Sequence, residues 1–484
     1  MSSEWRTMTL NQAGVILIDC DHKTPKAVDH GQPYIGIPQL KNGRISLEGA
    51  RLISAEDFSH WRRKALPMPN DVILSRRCNP GETAYVPEGL NIALGQNLVL
   101  LRATNENVYP PFLRWLAQGP AWWTQVNNFI NVGAVFDSLK CADIPNFLVC
   151  LPPYNEQIKI SEILYSLDKR IQINEFINQT LEKMVQALFK SWFVDFEPVK
   201  AKMAVLEAGG SQEEATLAAM TAISGKNADA LAVFEREHPE QYAELKATAE
   251  LFPSAMQDSE LGEIPEGWKL QPFGELLSHT IGGDWGKDEP DDKHKIPVRI
   301  IRGTDIPNIK SCQDGNVPFR YVEEKKLKAR SLNAGDIVIE VSGGSPTQPT
   351  GRSIYITDDI LKRLSLPVEP ASFCRLFRPK SMELGMILGL HLEKIYQDGK
   401  TWLYQNQSTG ISNFQTKVFL ENEMVAIASS EVLKAFYKVI FPFIKLIHSS
   451  ENIKLTQLRD TLLPKLLSGK ITLPEAEQII SEEA

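Results

Sequence analysis

Residues 151–196 read LPPYNEQIKISEILYSLDKRIQINEFINQTLEKMVQALFKSWFVDF. Between Asn155 and Phe193 there is neither Gly nor Pro. Ile160, Leu164, Leu167, Ile171, Asn174, Asn178, Leu181, Val185, Leu188 and Trp192 recur at alternating steps of four and three. That spacing lines one face of a helix and makes the seam along which two helices pack. At 1.5 Å per residue the helix spans on the order of 60 Å. Pro152 and Pro153 suit its start, where the fixed φ is already helical and no donor is lost. Two asparagines stand mid-seam. A polar residue there weakens packing but fixes the partner's register.

The chain supplies a partner near its end, a helix predicted over roughly residues 429–467. Leu433, Phe436, Ile440, Phe443 and Ile447 keep the same alternation, and Leu455, Leu458, Leu462 and Leu466 resume it after Ser449-Ser-Glu-Asn. Asn452 falls near the place that Asn178 holds in the first helix. Pro442 predicts a kink, and Pro464 a gap in the hydrogen-bond ladder. The two helices are expected to pair.

What precedes each helix looks like one unit written twice. Trp5-Arg-Thr-Met-Thr-Leu resembles Trp268-Lys-Leu, and Asn70-Asp-Val-Ile-Leu-Ser aligns with Gly335-Asp-Ile-Val-Ile-Glu. Gly81-Glu-Thr-Ala-Tyr aligns with Gly351-Arg-Ser-Ile-Tyr, and Val132-Gly-Ala-Val-Phe-Asp with Thr409-Gly-Ile-Ser-Asn-Phe. The offset grows along the chain, as loop insertions in a duplicated unit produce. The first copy reads as mixed α/β, with strands at Val15–Ile18, Asp71–Leu74 and Leu98–Leu101 and an aromatic helix over Pro111–Phe129. Residues 199–257 are rich in Ala and Glu and read as short helices broken at Gly209-Gly210 and Gly225. They are expected to be a spacer or a partner-covering insert.

Composition is that of an ordinary soluble protein: 43% hydrophobic and 23% charged in 484 residues. Sixty acidic against 52 basic residues leave a net charge of −8. That argues against a wholesale nucleic-acid-binding surface but not against local basic loops. Six scattered cysteines with no CxxC pair read as reduced thiols, and eight histidines form no ligand cluster, so no metal is expected. No signal or membrane segment is expected, which points to the cytoplasm.

Catalytic signals fail on inspection. Leu151-Pro-Pro-Tyr invites comparison with the Pro-Pro-Tyr motif of amino-methyltransferases, but leucine cannot accept a hydrogen bond from a target amine. Ser224-Gly-Lys-Asn lacks the upstream Gly and the following Ser/Thr of a phosphate loop. No catalytic or cofactor-binding residue is assigned.

The segments Pro152-Pro-Tyr-Asn-Glu-Gln-Ile-Lys-Ile-Ser-Glu-Ile-Leu-Tyr-Ser-Leu-Asp, Ala187-Leu-Phe-Lys-Ser-Trp-Phe-Val-Asp-Phe, Ser259-Glu-Leu-Gly-Glu-Ile-Pro-Glu-Gly-Trp and Leu462-Leu-Pro-Lys-Leu-Leu-Ser-Gly-Lys-Ile carry a resemblance. They resemble the specificity subunit of type I restriction–modification systems, over nearly the whole chain. Ser408-Thr-Gly-Ile-Ser-Asn-Phe resembles the family's turn near the end of a recognition domain, and Val132-Gly-Ala-Val-Phe departs from it. The resemblance implies an α+β fold: two α/β target-recognition domains in tandem, separated by two long helices pairing as an antiparallel coiled coil. The expected layout is a first recognition domain at 1–150, the central helix at 151–198 and a helical insert or linker at 199–258. The second recognition domain follows at 259–426, the C-terminal helix at 427–470 and a tail at 471–484. It further implies a non-catalytic reader of an asymmetric bipartite site in double-stranded DNA. Its partners would be two methyltransferase subunits and helicase-like nuclease subunits, which bind S-adenosylmethionine, ATP and Mg²⁺ in its place. The competing expectation is a coiled-coil DNA-binding scaffold or regulator without such partners.

Base readout needs Arg, Lys, Asn or Gln aimed at base edges. Arg76 and Arg77 follow the strand-like run of the first copy. Ser345, Thr347, Gln348 and Arg352 occupy the corresponding loop of the second. Lys41 and Arg44 flank the turn at Asn42-Gly43, and Gln405 and Asn406 lead into Thr409-Gly410. These ten are the candidate DNA contacts. Trp115, Trp122 and Trp123 are expected in the core. Arg62, Arg63 and Lys64 beside Trp61 are further candidates for DNA, read equally well as a solvated helix end, and the run Lys325, Lys326, Lys328, Arg330 is a further candidate read first as wet surface.

Overall fold

The computed structural model describes residues 5–133, 136–260, 262–343, 348–408 and 411–483, without the side chains of residues 407, 408 and 411. The chain divides into one unit of Met1–Gln172 with Lys454–Ala484 and a second of Ile173–Ile453. Each unit thus holds one copy of the repeat together with parts of the long helices.

In the first unit a four-stranded antiparallel sheet runs in the order Val15–Asp19, Leu98–Ala103, Val72–Ser75, Thr83–Tyr85. Val72, Ile73, Leu74 and Ser75 are all buried, so this strand reads as a continuous apolar run rather than an alternating one. A three-stranded sheet sets Gln32–Ile35 between Arg51–Ile53, antiparallel, and Ala93–Leu94, parallel. Arg6–Thr9 pairs with Leu148–Leu151, so the two ends of the domain lie side by side. The aromatic helix expected over Pro111–Phe129 is two helices, Pro110–Leu116 and Pro120–Phe129. Gly119 sits at the break, where a Cβ would come 2.5 Å from Leu467 Cδ1. Pro120 then starts the second helix without needing a donor.

The second unit repeats these three sheets in the same strand order. Its four-stranded sheet runs Leu277–Gly282, Cys374–Pro379, Ile337–Glu340, Ser353–Tyr355. Its three-stranded sheet places Ile296–Ile301 between Phe319–Val322, antiparallel, and Val368–Pro370, parallel. Lys269–Pro272 closes on Met424–Ile427. One buried ion pair is duplicated with its surroundings. Asp71 accepts from Arg102 at 2.8 and 2.6 Å and from the Met68 N–H at 2.8 Å. Asp336 accepts from Arg378 at 2.8 and 2.7 Å and from the Asn333 N–H at 2.7 Å. Gly335 has φ +94°, and its counterpart Asn70 φ +68°, the non-glycine type that best tolerates it.

Residues 197–250 form four helices, Glu197–Glu207, Gln212–Ser224, Ala228–Glu237 and Pro239–Glu250. Gly225 ends the second in the left-handed conformation, as expected at a helix C-terminus. This segment is not a loose linker. Ala219, Met220, Ile223, Leu231, Ala249 and Phe252 are buried in the core that also contains Trp192. Lys202 is buried there too, and its Nζ donates to the Phe252 carbonyl at 2.6 Å.

The central helix runs Tyr154–Phe193. In the first unit Ile160, Leu164, Leu167 and Ile171 are buried in one core with Leu455, Leu458, Leu462 and Leu466. In the second unit Val185, Phe189, Trp192 and Phe193 share a core with Val432, Leu433, Phe436 and Ile440. Early residues of one helix therefore meet late residues of the other, the antiparallel pairing. Fully burying such a side chain stabilises by about 1.5–3 kcal/mol. Between these cores Asn174, Asn178 and Leu181 are only half-buried, as is Leu188.

The C-terminal helix expected as one element is two, Ser430–Ile447 and Glu451–Leu467. The break falls at His448–Ser450, and Pro442 and Pro464 remain inside the helices. Carbonyls that a continuous helix would satisfy find other donors. Cys312 Sγ reaches Ile447 O at 3.3 Å, Asn178 Nδ2 reaches the same oxygen at 3.5 Å, and Arg363 donates to His448 O at 2.6 Å. Ile440, Ile447, Leu455, Leu458 and Leu462 are all buried. Buried seam residues thus lie on both sides of the break.

Candidate nucleic-acid interface

The strand Val72–Ser75 ends where Arg76 and Arg77 begin, and the two arginines part company. Arg76 is 11% exposed along its side chain, and its Nη2 lies 3.9 Å from Asp19 Oδ1. Arg77 is exposed and has no side-chain partner among the described residues. Its backbone bridges to Ser138, and Ser138 bridges in turn to Asn131. The second unit has the same arrangement as a regular sheet. Ser342–Gly343 pairs with Ile411–Phe414, which pairs with Gln405–Ser408. There Ser342 opposes Asn413, and Asn413 opposes Asn406. Sequence reasoning had singled out Arg77 and Asn406, but not Asn131, Ser138, Ser342 or Asn413. The turn pair Thr409-Gly410 is the sequence signal for the hairpin; the third strand is not visible without the fold.

Arg44, expected with Lys41 on a DNA-facing turn, is turned inward instead. Its Nη2 donates to Asp168 Oδ1, Arg114 Nη2 reaches Asp168 Oδ2 at 2.7 Å, and Arg459 Nη1 reaches Oδ1 at 3.2 Å. Burial opposes charge on Asp168, but Arg114 and Arg44 outweigh it and hold the carboxyl below its usual range. Arg352 is likewise spent within the fold: its Nε and Nη2 make a two-pronged pair with the buried Glu340 at 2.9 and 2.6 Å. A guanidinium saturated by a carboxylate has no fork left for guanine. Both guanidinium groups are engaged by carboxylates of the fold.

Lys41 is exposed, 3.4 Å from the exposed Glu48. Gln348 is exposed and donates to Tyr396 Oη at 3.4 Å. Ser345 and Thr347 lie outside the described residues. Gln405 is half-buried, with both amide atoms covered and without a partner among the described residues, whereas Asn406 is exposed. Trp115 and Trp122 are buried, and Trp123 is 39% exposed. Lys326 pairs with Asp284 at 3.0 Å, and Arg330 donates to Gly282 O at 2.9 Å, so half of that charge run holds the fold together.

One group of metal-type donors, Asp19, Cys20 and His22, comes together among the described residues. Burial, then Asp19, pushes the Cys20 thiol up to about 11, and Lys64 and Arg76 already face Asp19. A protonated thiol and a carboxylate shared with two cations make a poor donor set. All six cysteines are free thiols. No helix among the described residues is long and apolar enough to cross a membrane.

Residues 3–183 match the type I restriction modification DNA specificity domain. The chain is 29% identical over 388 residues to the Type I restriction enzyme HindI specificity subunit of Haemophilus influenzae, covering 79% of this chain and 78% of that one. It is 23% identical over 353 residues to the MjaIX specificity subunit of Methanocaldococcus jannaschii, covering 72% and 66%. Among solved structures, the S subunit of a type I restriction–modification system from M. genitalium shares the fold, with a TM-score of 0.50 at 15% identity over 96% of both chains. By these comparisons the chain, with its duplicated α/β fold and paired helices, is similar to the specificity subunits of type I restriction–modification systems.

Proposed function

We infer that this chain is the DNA-sequence-reading subunit of a type I restriction–modification complex, and that its two units read the two different halves of an asymmetric, gapped duplex target. The observation that carries this is the repeat itself. The same strand order and the same buried Asp–Arg pair recur in both units, while the exposed side chains differ. A repeated scaffold with divergent surface chemistry suits two half-sites of different sequence. A scaffold protein would have no use for it.

The family is non-catalytic, and the chemistry belongs to its partners. Two methyltransferase subunits and the motor–nuclease subunits would bind S-adenosylmethionine, ATP and Mg²⁺, and this chain none of them. With a net charge of −8 the chain repels DNA at long range, so the partners would also supply much of the positive field. The central helix offers them a surface: Ile173, Phe176, Ile177 and Met184 are exposed along it, Phe176 by 70%. Apolar side chains at this spacing on one helix suit an incoming helix.

The test is a map of methylated bases in the host with and without this gene. Loss of N6-methyladenine at one asymmetric, gapped motif is expected. Unchanged methylation, with partner genes intact and the chain expressed, overturns the reading.

A further inference from the structure

The geometry points to a cross-strand row of three side chains as the base-reading edge of each unit: Arg77–Ser138–Asn131 in the first and Ser342–Asn413–Asn406 in the second. It assigns a guanine contact to Arg77 and an adenine contact to Asn406. This rests on the DNA-reading function proposed above.

The two rows occupy the same place in the repeat. Ser75 and Glu340 hold equivalent positions, each ending the third strand of the four-stranded sheet and opposing Leu98 or Cys374. Two residues on, Arg77 and Ser342 each bridge to the middle member of a row, Ser138 or Asn413. The middle member then bridges to Asn131 or Asn406, seven residues earlier in both copies. Directly opposed residues of antiparallel strands project from the same face. With strands about 4.8 Å apart, such a row is about 10 Å across, and a β-ribbon fits a major groove about 12 Å wide.

Within each row the fold engages some members and leaves one long side chain exposed and without a partner among the described residues. In the first unit Asn131 Nδ2 turns back to Phe129 O at 3.3 Å and Ser138 O at 3.4 Å, bracing the turn. The guanidinium of Arg77 is left exposed and unpartnered among the described residues. In the second unit Ser342 Oγ donates to Asn413 Oδ1 at 2.8 Å, fixing that amide. The amide of Asn406 is left exposed and without a described partner. The free group has moved from one end of the row to the other, and its chemistry has changed. Arginine presents two parallel donors, which match guanine O6 and N7; asparagine presents one donor and one acceptor, which match adenine N7 and N6. Neighbouring basic residues lack this freedom, since Arg76 faces Asp19 and Arg352 is held by Glu340.

The test uses the full chain assembled with its host's methyltransferase subunits and a duplex library randomised across both half-sites, with bound molecules sequenced. Arg77→Ala is expected to erase a guanine preference at one position of one half-site, with a loss of about 10- to 100-fold on the parent target. Arg77→Gln is expected to move that preference toward adenine, which no structural role would do. Asn406→Ala is expected to erase an adenine preference in the other half-site only. Thermal unfolding of each variant should match the parent. Loss of binding that is uniform across sequences would make Arg77 a phosphate contact and overturn its assignment. Unchanged preferences in both variants overturn the row while leaving the proposed function standing. If the parent complex enriches no gapped motif, the proposed function falls, and this inference with it.

Discussion

Asp168 shows how much of the first unit hangs on one side chain. It lies on the central helix and holds Arg44 from a hairpin, Arg114 from a helix of the recognition domain and Arg459 from the C-terminal helix. Removing it strands the buried guanidinium of Arg114 and takes a carboxylate partner from Arg44 and Arg459. Asp168→Ala is expected to lower stability by about 3–5 kcal/mol in denaturant unfolding. A loss under about 1 kcal/mol would mean that water replaces the carboxylate. Glu369 is the opposite case, a fully buried carboxyl with no hydrogen-bond partner among the described residues. Burial, and then Asp284, push it up to about 7 from its ordinary 4.5, against Arg330 and Lys326. A raised carboxyl binds its proton more tightly folded than unfolded. Its contribution is therefore full below about 4.5 and lost as pH rises through about 7. Glu369→Gln is expected to abolish that slope, so that the stability difference between parent and variant varies between pH 5 and 7 by on the order of 2 kcal/mol. A pH-independent difference would count against it. Neither residue was singled out from sequence, because an acidic residue within a helix or strand looks the same whether it meets arginine or nothing.

The long helices were the most legible elements. Their seam period follows from 3.6 residues per turn, and apolar residues on that face pack against whatever partner the chain supplies. The C-terminal break at His448–Ser450 was half legible: the polar run marked it, but prolines at Pro442 and Pro464 looked like the stronger breakers. Neither proline ends a helix. The aromatic helix failed for a related reason, since the contact that forbids a Cβ at Gly119 comes from Leu467, far away in sequence. The outer face of the central helix yields the prediction at this scale. Phe176→Glu keeps helix propensity and removes exposed apolar surface. It should leave the unfolding midpoint unchanged but reduce recovery of methyltransferase subunits with the tagged chain. Full recovery would place the partner surface elsewhere.

Across the whole molecule the duplicated plan makes its own prediction. If each unit reads its own half-site, Arg77→Ala and Asn406→Ala should weaken binding independently. The losses in the double variant should multiply to within about 2-fold in a competition assay. Strong departure would mean that both residues serve one half-site. The sequence by itself determined the repeat and the two paired helices, and it carried the resemblance to specificity subunits. Those rest on local periodicity and on motifs of adjacent residues, which a single chain displays directly. Only the tertiary structure decided which polar side chains are free. Arg44, Arg77 and Arg352 are all arginines on or beside turns. What separates them is the proximity of Asp168 or Glu340, and a buried carboxylate claims the guanidinium within its reach. That proximity is set by packing between distant segments, and no local pattern encodes it.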